Sequence, residues 1–141
     1  MTAADPRAAL TAAGDPQTAA ATILVIDDDA PMRQILAMTL DLLNYLVLEA
    51  ESGEQAVAVA RAHPEIRLIL LDVVMTGLSG NDLAKELEAL LPGVAILFCS
   101  GHPASSIAKR YGIDTSAGNF LQKPLRLLPL QEKLEELLAP Q

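Results

Sequence analysis

The sequence predicts a doubly wound α/β domain on a five-stranded parallel sheet, with strand order 2-1-3-4-5. Three observations point to it. Short apolar runs such as Ile23-Leu24-Val25-Ile26 recur and end abruptly in polar residues, as strands buried on both faces do. Segments with apolar residues at helical spacing separate them. The hydrophobic residues are mostly aliphatic, with no Trp, two Phe and two Tyr in 141 residues, which suits helices packed on a parallel sheet.

Met1 to Ala21, rich in Ala, Thr, Asp and Pro without a hydrophobic period, is expected to be a disordered tail or linker. The domain is then expected to span residues 22–141. Its first strand, Ile23 to Ile26, runs into three aspartates. Pro31 suits a first helical turn, and Met32, Ile35, Leu36, Leu40 and Leu43 continue at helical spacing. Asp29, ahead of Ala30-Pro31, reads as that helix's N-cap rather than as a metal ligand.

Tyr45 to Glu49 reads as the second strand. Ser52 and Gln55 carry a capping-box pattern for a helix that stops before Pro64. Leu68 to Leu71 is the third strand, closed by Asp72, and a loop with Gly77 and Gly80 follows. The next helix runs through Leu83, Leu87 and Leu90 and ends at Pro92-Gly93. Val94 to Phe98 is the fourth strand, followed by Ser100-Gly101. Ser105 to Tyr111 reads as a short helix, and Gly112 to Gly118 as a loop. Phe120-Leu121 forms a brief fifth strand before Lys123-Pro124. Pro129, placed at a first helical position, opens a last amphipathic helix through Leu130, Leu134, Leu137 and Leu138.

Composition removes several classes of function. A net charge of −8 with ten scattered basic residues argues against a nucleic-acid-binding surface. The single cysteine, Cys99, excludes an internal disulfide, fits a reducing compartment and reads as a buried small hydrophobe. No apolar stretch reaches the ~20 residues of a membrane helix. The first residues lack the basic start and apolar core of a secretory signal, so the cytoplasm is the expected compartment.

The chemistry gathers where such sheets bind ligands, beyond the carboxyl ends of the strands. Asp27, Asp28 and Asp29 follow strand one, Asp72 follows strand three, Ser100 strand four and Lys123 strand five. Carboxylates that converge repel one another unless a hard cation or a proton intervenes, and Mg²⁺ suits a few carboxylates with positions left for water or phosphate. Phosphoryl transfer then assigns the roles, since it needs positioning and charge neutralisation. Asp72 attacks phosphorus, Asp28 and Asp72 hold the metal with Asp27 acting directly or through water, Lys123 is a fixed cation and Ser100 a hydroxyl donor. Gly101 leaves room beside the acceptor. His63 and His102 read as exposed helix-end or loop residues.

The segments LVIDDDAPMRQIL, LILLDVVMTGLSGNDL, ILFCSGH and FLQKP resemble the receiver family of response regulators, including the receivers of hybrid histidine kinases. The resemblance runs from Thr22 to about Leu138 and implies a flavodoxin-like three-layer sandwich. By position it implies that Asp27 and Asp28 are the acidic pair, Asp72 the phosphoacceptor and Val74 a backbone-carbonyl ligand of the metal. Ser100 is then the switch hydroxyl, Lys123 the family's lysine and Phe120 the aromatic switch. It further implies a cis peptide between Lys123 and Pro124. The implied phosphodonor is a sensor histidine kinase or a histidine phosphotransfer protein. The implied output is a downstream protein or attached domain, with a homodimer left open and no membrane or nucleic-acid contact. Beyond its own phosphorylation and dephosphorylation, such a protein is not an enzyme.

Thr76 replaces the proline usual in the loop after the acceptor. The 112–118 stretch departs from the usual pattern of helix four, which bears on the partner face formed by helix four, strand five and helix five. Val74 and His102 occupy positions that tune water access in the family, and an apolar Val74 implies slow self-hydrolysis. Three rivals fit less well. A haloacid-dehalogenase-type phosphatase needs an acidic pair after the lysine, but nothing acidic follows Lys123 until Glu132. A flavodoxin-like electron carrier needs a Thr-, Ser- or Gly-rich phosphate loop where this chain has three aspartates. A pseudo-receiver, acting only as a binding module, would lack some of the chemical residues that are all present here.

Overall fold

A computed structural model describes residues 21–75 and 78–139. The elements are β1 (Thr22–Ile26), α1 (Ala30–Leu42), β2 (Leu46–Ala50), α2 (Gly53–Ala62), β3 (Ile66–Asp72), β4 (Val74–Met75), β5 (Leu78–Ser79), α3 (Gly80–Leu90), β6 (Ala95–Ser100), α4 (Ala104–Tyr111), β7 (Phe120–Gln122) and α5 (Leu127–Leu138). The main sheet has five parallel strands in the order β2-β1-β3-β6-β7, which is the predicted 2-1-3-4-5 arrangement.

Alternation along the strands divides the core in two. Leu24 and Ile26 of β1, Ile69 and Leu71 of β3, and Ile96 and Phe98 of β6 face α2, α3 and α4, through Ala56, Ala60, Leu83, Leu87 and Ile107. On the other face, Ile23, Val25, Leu68, Leu70, Leu97 and Cys99 meet Leu36 and Leu40 of α1 and Leu130, Leu134 and Leu138 of α5. Residues of both alternations are apolar because both sheet faces are covered. Each fully buried Leu or Ile contributes about 1.5–3 kcal/mol of transfer free energy. The result is the three-layer sandwich, and it holds the carboxyl ends of β1, β3 and β6 side by side.

Local signals set the element ends. Asp29 caps α1, its Oδ1 accepting the Met32 N–H at 3.3 Å. Ser52 caps α2 by accepting the Gln55 N–H at 3.1 Å, while Gln55 accepts from Glu51, one residue before the cap, at 2.7 Å. Asn44 adopts φ 73° after α1, a left-handed turn that Asn tolerates, and β2 therefore starts at Leu46. The α4 helix ends on Gly112 at φ 66°, whose N–H bonds the Ala108 carbonyl.

Several boundaries differ from the sequence reading. Ala21, placed in the tail by its composition, is buried and accepts the Leu46 N–H at 3.0 Å, so it belongs to the folded domain. The β3 strand starts at Ile66 rather than Leu68. Ser100 is the last residue of β6, paired with Gln122, rather than a residue beyond the strand. After Asp72, β4 and β5 pair as a two-stranded antiparallel sheet, and Gly80 opens α3 rather than sitting in a loop. The expected Gly77 and Thr76 loop positions lie outside the described residues. Pro129 is the third residue of α5, where its missing N–H is still one of the helix's orphan donors. Among the described residues no helix is long and apolar enough to cross a membrane.

Candidate functional site

The β1 ladder continues one residue past the strand, where the Asp27 N–H donates to the Ala50 carbonyl at 3.2 Å. This draws Asp27 inward until only 1% of it is exposed, whereas Asp28 faces solvent. The Asp27 carboxylate is satisfied on both oxygens. Its Oδ1 accepts the Asp29 N–H at 2.9 Å and its Oδ2 accepts Lys123 Nζ at 2.7 Å. Asp72, 8% exposed, ends β3 and accepts the Val74 N–H on Oδ1 at 3.0 Å and Lys123 Nζ on Oδ2 at 3.1 Å. Lys123 reaches both carboxylates because its own N–H is anchored to the Ser100 carbonyl at 2.7 Å, just before a cis peptide to Pro124.

The structure thus brings Asp27, Asp28, Asp72 and Lys123 together. One oxygen from each of the three aspartates can be chosen so that all lie within 4.8 Å of one another. An all-oxygen, anionic donor set of this size fits a hard divalent cation such as Mg²⁺. Asp29 is turned to the helix cap, as its spacing predicts. Ser100 is fully buried, and its Oγ accepts the His102 N–H at 3.0 Å. Val74 is half-buried in β4. Phe120 pairs with Phe98, two residues back from the Ser100–Gln122 pair, and packs against the core. A Cβ added at Gly101 would meet nothing within 4 Å, so the space beside the site is open there.

Burial shapes the electrostatics. It pushes the Asp72 pKa above the ordinary aspartate value, and the Asp27 charge adds to this, while Lys123 and the Val74 N–H pull the other way without overcoming it. Burial alone would lower the Lys123 pKa, but the hydrogen bond to Asp27 and the surrounding charges, Asp72 among them, hold it above the ordinary lysine range. Lys123 is therefore a fixed cation. Cys99, one residue from Ser100 and paired in register with Asp72, is pushed up to about 12 by burial and stays a neutral thiol. His63 closes α2, with Nδ1 3.0 Å from Glu65 Oε2, and His102 is exposed.

One participant was absent from the sequence reading. Arg33, in the first turn of α1, donates from Nη1 to the Asp27 carbonyl at 2.7 Å and from Nε to Glu49 Oε1 at 3.1 Å. The available signal was an arginine one helical turn beyond the acidic triplet, which by itself reads as a solvated residue.

A parallel sheet with one carboxylate just past β1, another ending β3, and a lysine after the last strand bridging them is the arrangement of a signalling receiver domain. Residues 23–135 match the response regulator receiver domain, and the chain belongs to that family. It is 35% identical over 123 residues to the phosphate regulon transcriptional regulatory protein PhoB of Pseudomonas aeruginosa, covering 83% of this chain and 51% of that protein. It is 31% identical over 122 residues to the sensor kinase CckA of Brucella abortus, covering 86% of this chain and 13% of that kinase. The chain spans about half or less of the length of such curated relatives. Its fold is similar to a solved Burkholderia pseudomallei response regulator with a phosphorylated aspartic acid, calcium ion and citrate. That match has a TM-score of 0.70 at 28% identity and covers 84% of this chain and 68% of the other.

Proposed function

We propose that this receiver accepts a phosphoryl group on Asp72 from a sensor histidine kinase or a histidine phosphotransfer protein, in a Mg²⁺-dependent reaction. The observation that carries this reading is Lys123 Nζ lying 2.7 Å from Asp27 and 3.1 Å from Asp72, a lysine clamped between two buried carboxylates. A structural ion pair needs one carboxylate. Two of them with a third at the rim suit a site that binds further positive charge and then a phosphate.

In the transfer, a carboxylate oxygen of Asp72 attacks phosphorus while the P–N bond of a phosphohistidine breaks. The leaving imidazole keeps the bonding electron pair, and Asp72 becomes an acyl phosphate. Burial makes Asp72 more basic than a surface aspartate, and Lys123 favours the ionised form that attacks. Asp27, Asp28, Asp72 and the Val74 backbone carbonyl would hold Mg²⁺, which when bound offsets charge on the transferring oxygens. Lys123 stays protonated and pairs with a phosphoryl oxygen. Ser100, whose Oγ already accepts from His102, keeps its own proton to donate to another. Movement of Ser100 toward the phosphate, followed by Phe120, is the switch that alters binding to a downstream protein or attached domain. A phosphorylation-dependent homodimer is one form this output can take.

The phosphodonor approaches over α1, which starts at the acidic loop and leaves Ile35, Met38 and Leu42 exposed. Cytoplasmic location and the absence of direct nucleic-acid contact belong to the same reading, as does catalysis limited to the protein's own phosphorylation and dephosphorylation. Intact mass after incubation with acetyl phosphate tests it, with Mg²⁺ or with EDTA, on wild type and Asp72→Asn. One added phosphoryl group that requires both Mg²⁺ and Asp72 is the expected result. A gain that persists in EDTA or in the variant contradicts the mechanism. No gain, either here or with a phosphorylated histidine phosphotransfer protein as donor, points to the pseudo-receiver.

A further inference from the structure

We propose that Arg33 is a positioning residue for the cation site, acting through the backbone of Asp27 without touching the cation. This rests on the reading of Asp27, Asp28 and Asp72 as cation ligands.

The geometry is specific. The Asp27 peptide is held at both ends: its N–H by the Ala50 carbonyl of β2 at 3.2 Å, and its C=O by Arg33 Nη1 at 2.7 Å. Arg33 is itself fixed twice. Its backbone N–H donates to the Asp29 carbonyl at 2.8 Å in the first turn of α1, and its Nε donates to Glu49 Oε1 at 3.1 Å. Glu49 lies on β2 opposite Val25, two residues before the acidic loop starts. Only 13% of the Arg33 side chain is exposed, so the guanidinium is wedged between strand and loop rather than solvated.

The loop Asp27-Asp28-Asp29 is therefore tied to β2 by one planar fork. The direction of the Asp27 carbonyl sets the plane of the peptide that leads into Asp28, and so the direction in which Asp28 enters the cluster. Two donors at a fixed angle do this work. A lysine has one nitrogen and cannot span carbonyl and carboxylate with the same geometry.

The sign of the effect separates positioning from charge. A cation close to three carboxylates repels any further cation, so on charge alone removing Arg33 tightens divalent binding. Positioning requires the opposite. The chosen probe is Mn²⁺, with free ion counted by electron paramagnetic resonance, on the whole purified chain as wild type, Arg33→Ala and Arg33→Lys. Far-ultraviolet circular dichroism and urea midpoints, taken alongside, report whether each variant is folded.

The expected result is about tenfold weaker Mn²⁺ binding in Arg33→Ala, the scale of losing a ligand-orienting partner. Arg33→Lys, which keeps charge and most of the stem, stays weak. Binding in folded Arg33→Ala as tight as wild type, or tighter, overturns the inference, as does full rescue by Arg33→Lys. Wild-type protein that binds no Mn²⁺ is a different failure, because it removes the cation site itself and this inference with it. If Arg33→Ala is unfolded, the Lys variant alone decides: wild-type affinity refutes the fork, and weakened affinity in a folded protein supports it.

Discussion

Replacing Lys123 by methionine removes a charge that touches both buried carboxylates and leaves a stem of similar size. Nζ lies 2.7 Å from Asp27 Oδ2 and 3.1 Å from Asp72 Oδ2, and 15% of the Lys123 side chain is exposed. At an effective dielectric constant of about 20, unit charges about 3 Å apart attract by about 5 kcal/mol, much of it offset by desolvation. Removing one partner of a buried pair costs about 3–5 kcal/mol because the other charge is stranded. Partial exposure of the lysine places Lys123→Met near the low end, about 3 kcal/mol at pH 7.5 in EDTA.

The assay is urea unfolding of wild type and variant in EDTA from pH 4 to pH 8. Lysine is charged throughout this range in both the folded and unfolded states, so the dependence on pH comes from the carboxylates. Asp72 already has a raised folded pKa, and loss of Lys123 raises it further. The variant's deficit therefore grows as pH rises and shrinks as Asp72 gains its proton toward the acid end of the range. Millimolar Mg²⁺ at pH 7.5 recovers part of the deficit by supplying the missing positive charge. A deficit of constant size across the range, or none at pH 7.5, refutes the reasoning.

Other expectations follow from the same geometry. Asp72→Asn should be at least as stable as wild type at pH 7.5 in EDTA. A folded pKa above the unfolded one means that Asp72 contributes most stability below the unfolded value and loses it as pH rises through the folded value. Asparagine never acquires that charge, so its advantage in urea midpoint should vanish toward pH 4, and a less stable variant at pH 7.5 would reverse the sign. Cys99, with a thiol at about 12 and 1% exposure, holds on the order of 10⁻⁴ of its sulfur as thiolate at pH 8. Iodoacetamide should leave it unmodified in the native protein and alkylate it in urea, as read by mass. Rapid native alkylation would mean the strand end opens.

Much of this protein is legible in its sequence because the parallel sheet is covered on both faces. Continuous apolar runs at Ile23 to Ile26 and Leu68 to Leu71 leave no other partner than helices on each side, and a polar residue that ends such a run marks the binding edge. The positions of Asp27, Asp72 and Lys123 just past or at successive strand ends are enough to place these side chains near one another. What escaped is what periodicity does not encode. The β4 and β5 strands have two residues each, too short to show a period. The α5 helix starts at Leu127 rather than Pro129, and Leu127 and Leu128 are exposed leucines that give no core stripe to count from. Arg33 reaches Asp27 through a backbone carbonyl, and a side chain's bond to main chain leaves no residue-type signature at the other end.

The central claim is that Asp72 carries the phosphoryl group, and borohydride reduction tests it most directly. An aspartyl phosphate is reduced to homoserine, whereas free carboxylates and phosphorylated serine are not. Protein treated with acetyl phosphate and Mg²⁺, then reduced and digested, should yield homoserine at position 72 and nowhere else. Homoserine at position 27 or 28, or an added phosphoryl group with aspartate intact at position 72, would place the chemistry on another residue and contradict the account.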